Sequence, residues 1–243
     1  MNQKRLSLKD IIFISVIALL TISCAVMGVF LIYHQTVKDE QVDLFQEYYN
    51  SHVETYRVEN ANYSQGQIIF IGDSITDLYH LDDYYADLDK AVYNRGIGGD
   101  TTQGVIDRLQ VSLYDLKPSE VVLMVGINDL NSGKSNEYVI SHYQTILDNM
   151  KVNLPTTKVF TMSILPMSDL LSGVINVSQQ NTRVKEVNAH ISSMSIDKGY
   201  TYVDLYSQVK DENDKLIAQY TDDGIHLNAN GFTVWTNLLK PLL

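Results

Sequence analysis

From about residue 67 onward, short apolar runs alternate with longer stretches in which apolar positions recur at helical spacing. Runs such as residues 121–125 contain no polar position, which is typical of strands covered on both faces. Strands that alternate with helices predict a parallel sheet between two layers of helices. The predicted strands are residues 68–71, 91–94, 121–125, 158–164 and 201–205, and the predicted helices are residues 102–113, 136–153, 178–198 and 230–242.

The amino-terminal pattern is different. Residues 11–33 form an almost wholly apolar run without Asp, Glu, Lys or Arg, and a membrane-crossing helix needs roughly 20 such residues. Basic residues precede the run, at Lys4, Arg5 and Lys9. By the positive-inside rule they predict that residues 1–10 are cytoplasmic, that residues 11–33 form an uncleaved transmembrane signal anchor, and that the rest of the chain is extracellular.

Two alternatives to an uncleaved anchor remain open. Residues 23–25, Ser-Cys-Ala, resemble a signal-peptide cleavage site, although the apolar region of a signal peptide usually spans only roughly 7–15 residues. Residues 21–24 resemble a bacterial lipoprotein box with Cys24 as the lipidated residue, although the apolar run continues past it. Residues 34–62 have apolar positions at helical spacing, which predicts a stalk or an amphipathic helix, and residues 63–243 are predicted to form one compact domain.

Composition narrows the class of protein. A formal net charge of -11 disfavours nucleic acid as a partner, because phosphate binding needs clustered Lys and Arg. A hydrophobic content of 45% excludes a disordered chain. The single cysteine, Cys24, excludes an intrachain disulfide and a cysteine-based metal site.

Four polar, mostly glycine-rich clusters follow predicted strands or precede a predicted helix. They are residues 72–74 (Gly-Asp-Ser), residues 94–101 (Asn-Arg-Gly-Ile-Gly-Gly-Asp-Thr), residues 126–129 (Gly-Ile-Asn-Asp) and residues 222–227 (Asp-Asp-Gly-Ile-His-Leu). Because the carboxyl ends of parallel strands meet at one edge of a sheet, where ligands bind, we expect these clusters to converge there.

The clusters contain the residue types of nucleophilic catalysis. A serine hydroxyl such as that of Ser74 needs a base to remove its proton, and His226 is the candidate base. The imidazole in turn needs a carboxylate, for which Asp223 and Asp222 compete at this point. The competing interpretations are that Ser74 only caps a helix, or that the acidic residues bind Mg²⁺ or Ca²⁺.

Taken together and in this order, the four clusters resemble the motifs of the SGNH or GDSL-type hydrolase family over about residues 66–243. The segments Gly-Ile-Gly-Gly-Asp-Thr-Thr and Gly-Ile-His-Leu are similar to the branch of platelet-activating-factor acetylhydrolase-like and lysophospholipase-like bacterial esterases. One departure is Gly-Asp-Ser-Ile in place of Gly-Asp-Ser-Leu. The resemblance implies a three-layer α/β/α fold with a flavodoxin-like parallel five-stranded sheet. It also implies catalytic Ser74, Asp223 and His226, oxyanion donors at Ser74, Gly99 and Asn128, and no metal or cofactor.

The function expected from these features is that of a membrane-anchored extracytoplasmic serine esterase. It would hydrolyse carboxylic esters, acetyl esters above all, through an acyl-enzyme on Ser74. The substrate would be a small-molecule, glycan-linked or lipid ester, and apolar residues in the segment 165–174 are expected to line a pocket for its acyl group or its alcohol. The alternatives are a lysophospholipase or acylhydrolase that acts on lipid esters, and a non-catalytic surface binding module on the same fold.

Overall fold

A computed structural model describes residues 8–243, except for the side chains of residues 9–22, 24, 25 and 43. The chain divides into two units, residues 1–50 and residues 51–243, and helix α1 runs from Leu8 to Glu59. Part of the predicted cytoplasmic segment and many side chains of the predicted membrane span lie outside the described residues. Within the described part of the chain, no helix is both long enough and apolar enough to cross a membrane.

The second unit is built on five parallel strands in the spatial order β2-β1-β3-β4-β5. They are β1 (Ile68–Gly72), β2 (Val92–Gly96), β3 (Glu120–Met124), β4 (Lys158–Met162) and β5 (Thr201–Val203). The prediction of a five-stranded parallel sheet is confirmed, and the order is flavodoxin-like. From β1 the chain passes to β2 on one side of it, and from β2 it crosses over to form β3 on the other side of β1. The carboxyl end of β1 is therefore the point at which the strand order reverses, where ligands bind in such sheets.

Helices cover the sheet, as the periodicity predicts. They are α2 (Ser74–Asp77), α3 (Asp82–Tyr85), α4 (Thr102–Asp107), α5 (Ile127–Asn131), α6 (Asn136–Asn153), α7 (Val177–Asp197), α8 (Tyr206–Val209) and α9 (Ala229–Leu239). Shorter 3-10 turns cover Asp169–Leu171, Ala218–Tyr220 and Lys240–Leu242. The predicted helix over residues 102–113 is divided into α4 and a π-helical turn, Gln110–Tyr114, with the break at Arg108.

An aromatic cluster in the core fixes the first and last parts of the sheet domain against each other. Phe70 in β1 lies 6.2 Å from Trp235 in α9, measured between ring centroids. Tyr79, which follows α2, stacks on Phe232 of α9 at 4.5 Å. Because α2 begins with Ser74 and α9 begins just after His226, this packing sets the distance between those two residues.

The end of α1 that belongs to the second unit packs on the β2 side of the sheet. The Tyr56 hydroxyl donates a hydrogen bond to the carbonyl oxygen of Gly96, and Glu59 forms an ion pair with the buried Arg95 at 2.7 Å. Residues 51–59 of the segment considered as stalk or amphipathic helix are thus part of the folded unit.

Candidate active site

Ser74 stands at the carboxyl end of β1, where the strand passes directly into the one-turn helix α2. The side chain of Asp73 caps this helix, because its Oδ1 accepts a hydrogen bond from the backbone N–H of Ile75 at 3.1 Å. Gly72 has no room for a side chain, since a Cβ atom on it would lie 2.1 Å from the carbonyl oxygen of Met124 in β3. The turn therefore presents the half-buried Ser74 at the edge of the sheet.

The Ser74 hydroxyl is hydrogen-bonded to an imidazole from the far end of the sequence. Ser74 Oγ lies 2.8 Å from His226 Nε2, and His226 Nδ1 lies 2.6 Å from Asp223 Oδ2. The Asp223 carboxylate selects the tautomer with the proton on Nδ1, so that Nε2 accepts from the hydroxyl. Asp222, the competing acid, instead accepts a hydrogen bond from the Asn228 side chain at 3.2 Å.

Asp223 is held in place by the turn to which it belongs. Its Oδ1 accepts the backbone N–H groups of Ile225 and His226, each at 2.9 Å, and Gly224 adopts a φ of 93° that favours glycine. Burial opposes ionisation of Asp223, but hydrogen bonds from the His226 side chain and from these two backbone groups outweigh it and lower its pKa to about 2. Asp223 is therefore a carboxylate at neutral pH, as stabilisation of an imidazolium requires.

The two predicted oxyanion donors outside the serine turn lie on the loops that follow β2 and β3, the neighbours of β1 on either side. Gly99 has a φ of 77°, which favours glycine, and because glycine has no Cβ atom a ligand can approach the backbone closely. Asn128 lies in α5, and its Nδ2 donates to the carbonyl oxygen of Asp100 at 2.9 Å. This bond joins the two loops and orients the amide, whose second N–H can serve an oxyanion.

Arg108 ties the loops behind the site to the ends of the strands. Its guanidinium donates to the carbonyl oxygens of Gly72 at 2.9 Å and Arg95 at 2.8 Å, and to Ser112 Oγ at 3.0 Å. It also forms an ion pair with Asp100 at 2.8 Å, with both side chains at most 2% exposed. One buried side chain thus fixes the serine turn and the loop that carries Gly99 in a single arrangement.

This buried support was not anticipated from the sequence. Asp129 likewise accepts hydrogen bonds from the backbone N–H and the hydroxyl of Thr102, both at 2.9 Å, and so joins α5 to α4. The available signal was Arg108 itself, because a charged residue stands among the apolar positions 105, 109 and 113 of a predicted helix.

Within the described residues, no group of three or more His, Cys, Asp or Glu side chains is placed to hold a metal ion.

The arrangement can carry out acyl transfer. A hydroxyl, a base and an orienting acid form one hydrogen-bonded chain, and candidate oxyanion donors lie on the two adjacent loops. Acyl transfer requires these two components, an activated nucleophile and preorganised donors for the tetrahedral oxyanion.

Comparison with known proteins agrees with this geometry. The model of the GDSL-like lipase/acylhydrolase family matches residues 70–234, a span that contains all the residues of the constellation. Among curated proteins, the alpha1 subunit of platelet-activating factor acetylhydrolase IB from Bos taurus is 28% identical over 198 residues, which cover 76% of this chain and 78% of that protein.

Solved structures share the fold. A chain from Streptococcus pneumonia that carries the name platelet activating factor superposes with a TM-score of 0.78 at 23% identity, over 85% of this chain and 98% of that one. An acetylxylan esterase from Geobacillus stearothermophilus superposes with a TM-score of 0.60 at 16% identity, over 73% and 94% of the two chains. Since the family match covers more than half of the sequence, the chain belongs to the GDSL-like lipase/acylhydrolase family and is a serine ester hydrolase.

Proposed function

We propose that this protein hydrolyses short-chain carboxylic esters, acetyl esters above all, through an acyl-enzyme on Ser74. The observation that carries the proposal is the continuous chain of hydrogen bonds from Ser74 Oγ through the His226 imidazole to the Asp223 carboxylate. The Asp223 carboxylate is ionised at neutral pH, because its pKa is lowered to about 2, as its role of orienting the imidazole requires.

In the proposed acylation step, His226 Nε2 takes the proton of Ser74 as Oγ forms a bond to the ester carbon. The carbonyl oxygen becomes an oxyanion, which accepts hydrogen bonds from the backbone N–H groups of Ser74 and Gly99 and from the Asn128 amide. When the bond to the alcohol oxygen breaks, His226 gives the proton to that oxygen. A water molecule then repeats the sequence on the acyl-enzyme, with His226 as its base, and releases the acid.

One consideration supports a short acyl group. The names of the bovine relative and the Geobacillus structure both denote enzymes that remove acetyl groups. A direct test compares aryl acetate with aryl decanoate, and a higher kcat/KM for the decanoate would instead favour an acylhydrolase that acts on lipid esters.

The catalytic role of the serine has its own test. Replacement of Ser74 by Ala should lower kcat for an aryl acetate by at least about 10⁴-fold, because the covalent route is lost while the fold is kept. Reaction of the unmodified protein with a fluorophosphonate should label Ser74. Retained turnover in the variant would exclude Ser74 as the nucleophile, and absence of both turnover and labelling in the unmodified protein would favour a binding module.

We further propose that residues 11–33 anchor the protein in the cell membrane, with residues 1–10 in the cytoplasm and the hydrolase domain outside. The uncharged apolar run and the basic residues before it support this orientation. After expression in a bacterial host, the protein should stay in membranes washed with alkaline carbonate, and protease added to cells without an outer barrier should remove the domain. Release by carbonate would contradict an integral anchor, and protection from protease would contradict the orientation.

A further inference from the structure

The segment that follows β4, residues 168–175, rests directly on the turn that carries Asp223 and His226. The backbone N–H of Ser168 donates to the carbonyl oxygen of Gly224 at 2.9 Å. A Cβ atom on Gly224 would lie 3.0 Å from Leu171 Cγ and 3.1 Å from Leu170 Cβ. The two leucines therefore contact the residue that lies between the orienting acid and the base.

This segment, which we call the Leu170 loop, is fixed at its base and apolar at its surface. Asp169 forms an ion pair with Lys215 at 2.7 Å, and the 3-10 turn Asp169–Leu171 begins at the Ser168 cap. Leu170 is nevertheless 59% exposed. Leu165 and Met167, which belong to the segment expected to line a pocket, are instead buried in the core.

The chemistry of the site determines which part of an ester lies beside this loop. The carbonyl oxygen must point to the donors on the loops after β2 and β3, since these stabilise the oxyanion. The alcohol oxygen must lie near His226 Nε2, because the imidazole supplies the proton when that oxygen leaves. The alcohol is thereby directed toward the turn of residues 223–226 and the leucines packed on it.

Building on the proposed function, we propose that Leu170 and Leu171 form the wall of a leaving-group subsite that selects esters of alcohols with an apolar chain. In acylation, the bond from Ser74 Oγ to the acyl carbon forms and the bond from that carbon to the alcohol oxygen breaks. The alcohol leaves with the proton from His226, and its hydrocarbon is in contact with the leucines until that point. The acyl-enzyme that remains is the same for every alcohol.

Two isosteric acetates test this subsite in the full-length protein, butyl acetate and 2-methoxyethyl acetate, with acetic acid release measured by titration. In the variant Leu170→Ser, the ratio of kcat/KM for the butyl ester to that for the methoxyethyl ester should fall about fivefold, the effect of roughly 1 kcal/mol of lost apolar contact. Leu170→Phe should raise the same ratio. Leu242→Ser is the matched control, because Leu242 is also a partly exposed leucine in a 3-10 turn, and it should leave the ratio unchanged.

A ratio that stays the same in both Leu170 variants would overturn the subsite. The subsite would also be overturned if the Leu170 variants changed only the ratio of kcat/KM for methyl acetate to that for methyl butanoate. These esters differ in the acyl group, so that result would place Leu170 beside the acyl group. These outcomes differ from failure of the proposed function, in which the unmodified protein would neither turn over the acetates nor react with a fluorophosphonate at Ser74. The rate of acetyl-enzyme hydrolysis provides a further check, since it should not depend on which of the two alcohols has left.

Discussion

The buried carboxyl group of Asp73, next to the nucleophile, leads to a prediction about stability and pH. Asp73 is 1% exposed, and its Oδ2 has no hydrogen-bond partner. Burial raises its pKa from 3.8 to about 7, and the nearby carboxylates of Asp100 and Asp129 add to this against the opposing hydrogen bond from Ile75 N–H. The native state therefore holds a proton on Asp73 at a pH where the unfolded chain has lost it.

The sign and size follow from proton linkage. Because the native pKa lies above the unfolded value, stability from this group is fully present below about pH 4 and is lost as the pH rises through about 7. Between about pH 5.5 and about pH 8 the loss amounts to roughly 2 kcal/mol, at 1.36 kcal/mol for each pH unit of difference in proton binding. Replacement of Asp73 by Asn keeps the Oδ1 cap and the size of the side chain but removes the titration.

The assay is urea unfolding of both proteins across this pH range, followed by the fluorescence of the single tryptophan, Trp235, which is fully buried. The quantity compared is the free energy of unfolding of Asp73→Asn minus that of the unmodified protein. This difference should rise by roughly 2 kcal/mol from about pH 5.5 to about pH 8. Asp82→Asn removes a carboxyl group from an exposed position and is the control without burial. If the two variants show the same pH dependence, Asp73 does not titrate in the way its burial implies.

Three further substitutions test the site. Asp223→Asn should lower kcat by about 10⁴-fold without unfolding the protein, because the imidazole then adopts the wrong tautomer, and a loss below about tenfold in an aryl acetate assay would contradict this. Asn128→Ala should lower kcat by about 10²–10³-fold with little change in KM, the effect of one oxyanion donor, whereas a change in KM alone would point to ground-state binding. Arg108→Met should reduce the free energy of unfolding by about 3–5 kcal/mol, since it leaves Asp100 as an unpaired buried charge. The exposed Arg57→Met is its control in urea unfolding, and equal effects would contradict a buried ion-pair network.

The alternation of apolar runs with helical periodicity was sufficient to predict the parallel sheet. The same pattern did not give the bounds of one-turn helices such as α2, because its four residues span little more than one helical period. In the site, Ser74 and His226 were identified because acyl transfer needs those residue types, and the structure brings them within hydrogen-bond distance. Their catalytic roles stay a prediction.

Two features could not be predicted for a physical reason. Arg108 stands in a helical segment where an arginine normally faces solvent, and only the tertiary fold brings two strand-end carbonyl oxygens and the Asp100 carboxylate to its buried guanidinium. The apolar run after β4 contains both core and surface residues, because an irregular loop has no period that separates them. Burial of Met167 and exposure of Leu170 therefore became visible only in the structure.

Acyl-enzyme trapping tests the central claim most directly. The full-length protein is mixed with an excess of aryl acetate, quenched in acid during the first turnover and digested for peptide mass spectrometry. We predict that one acetyl group is found on Ser74, that it disappears on longer incubation after substrate is exhausted, and that it is absent from the Ser74→Ala variant. Turnover of the ester with no acetyl group on Ser74, or an acetyl group on another residue that forms and decays at the turnover rate, would contradict the account.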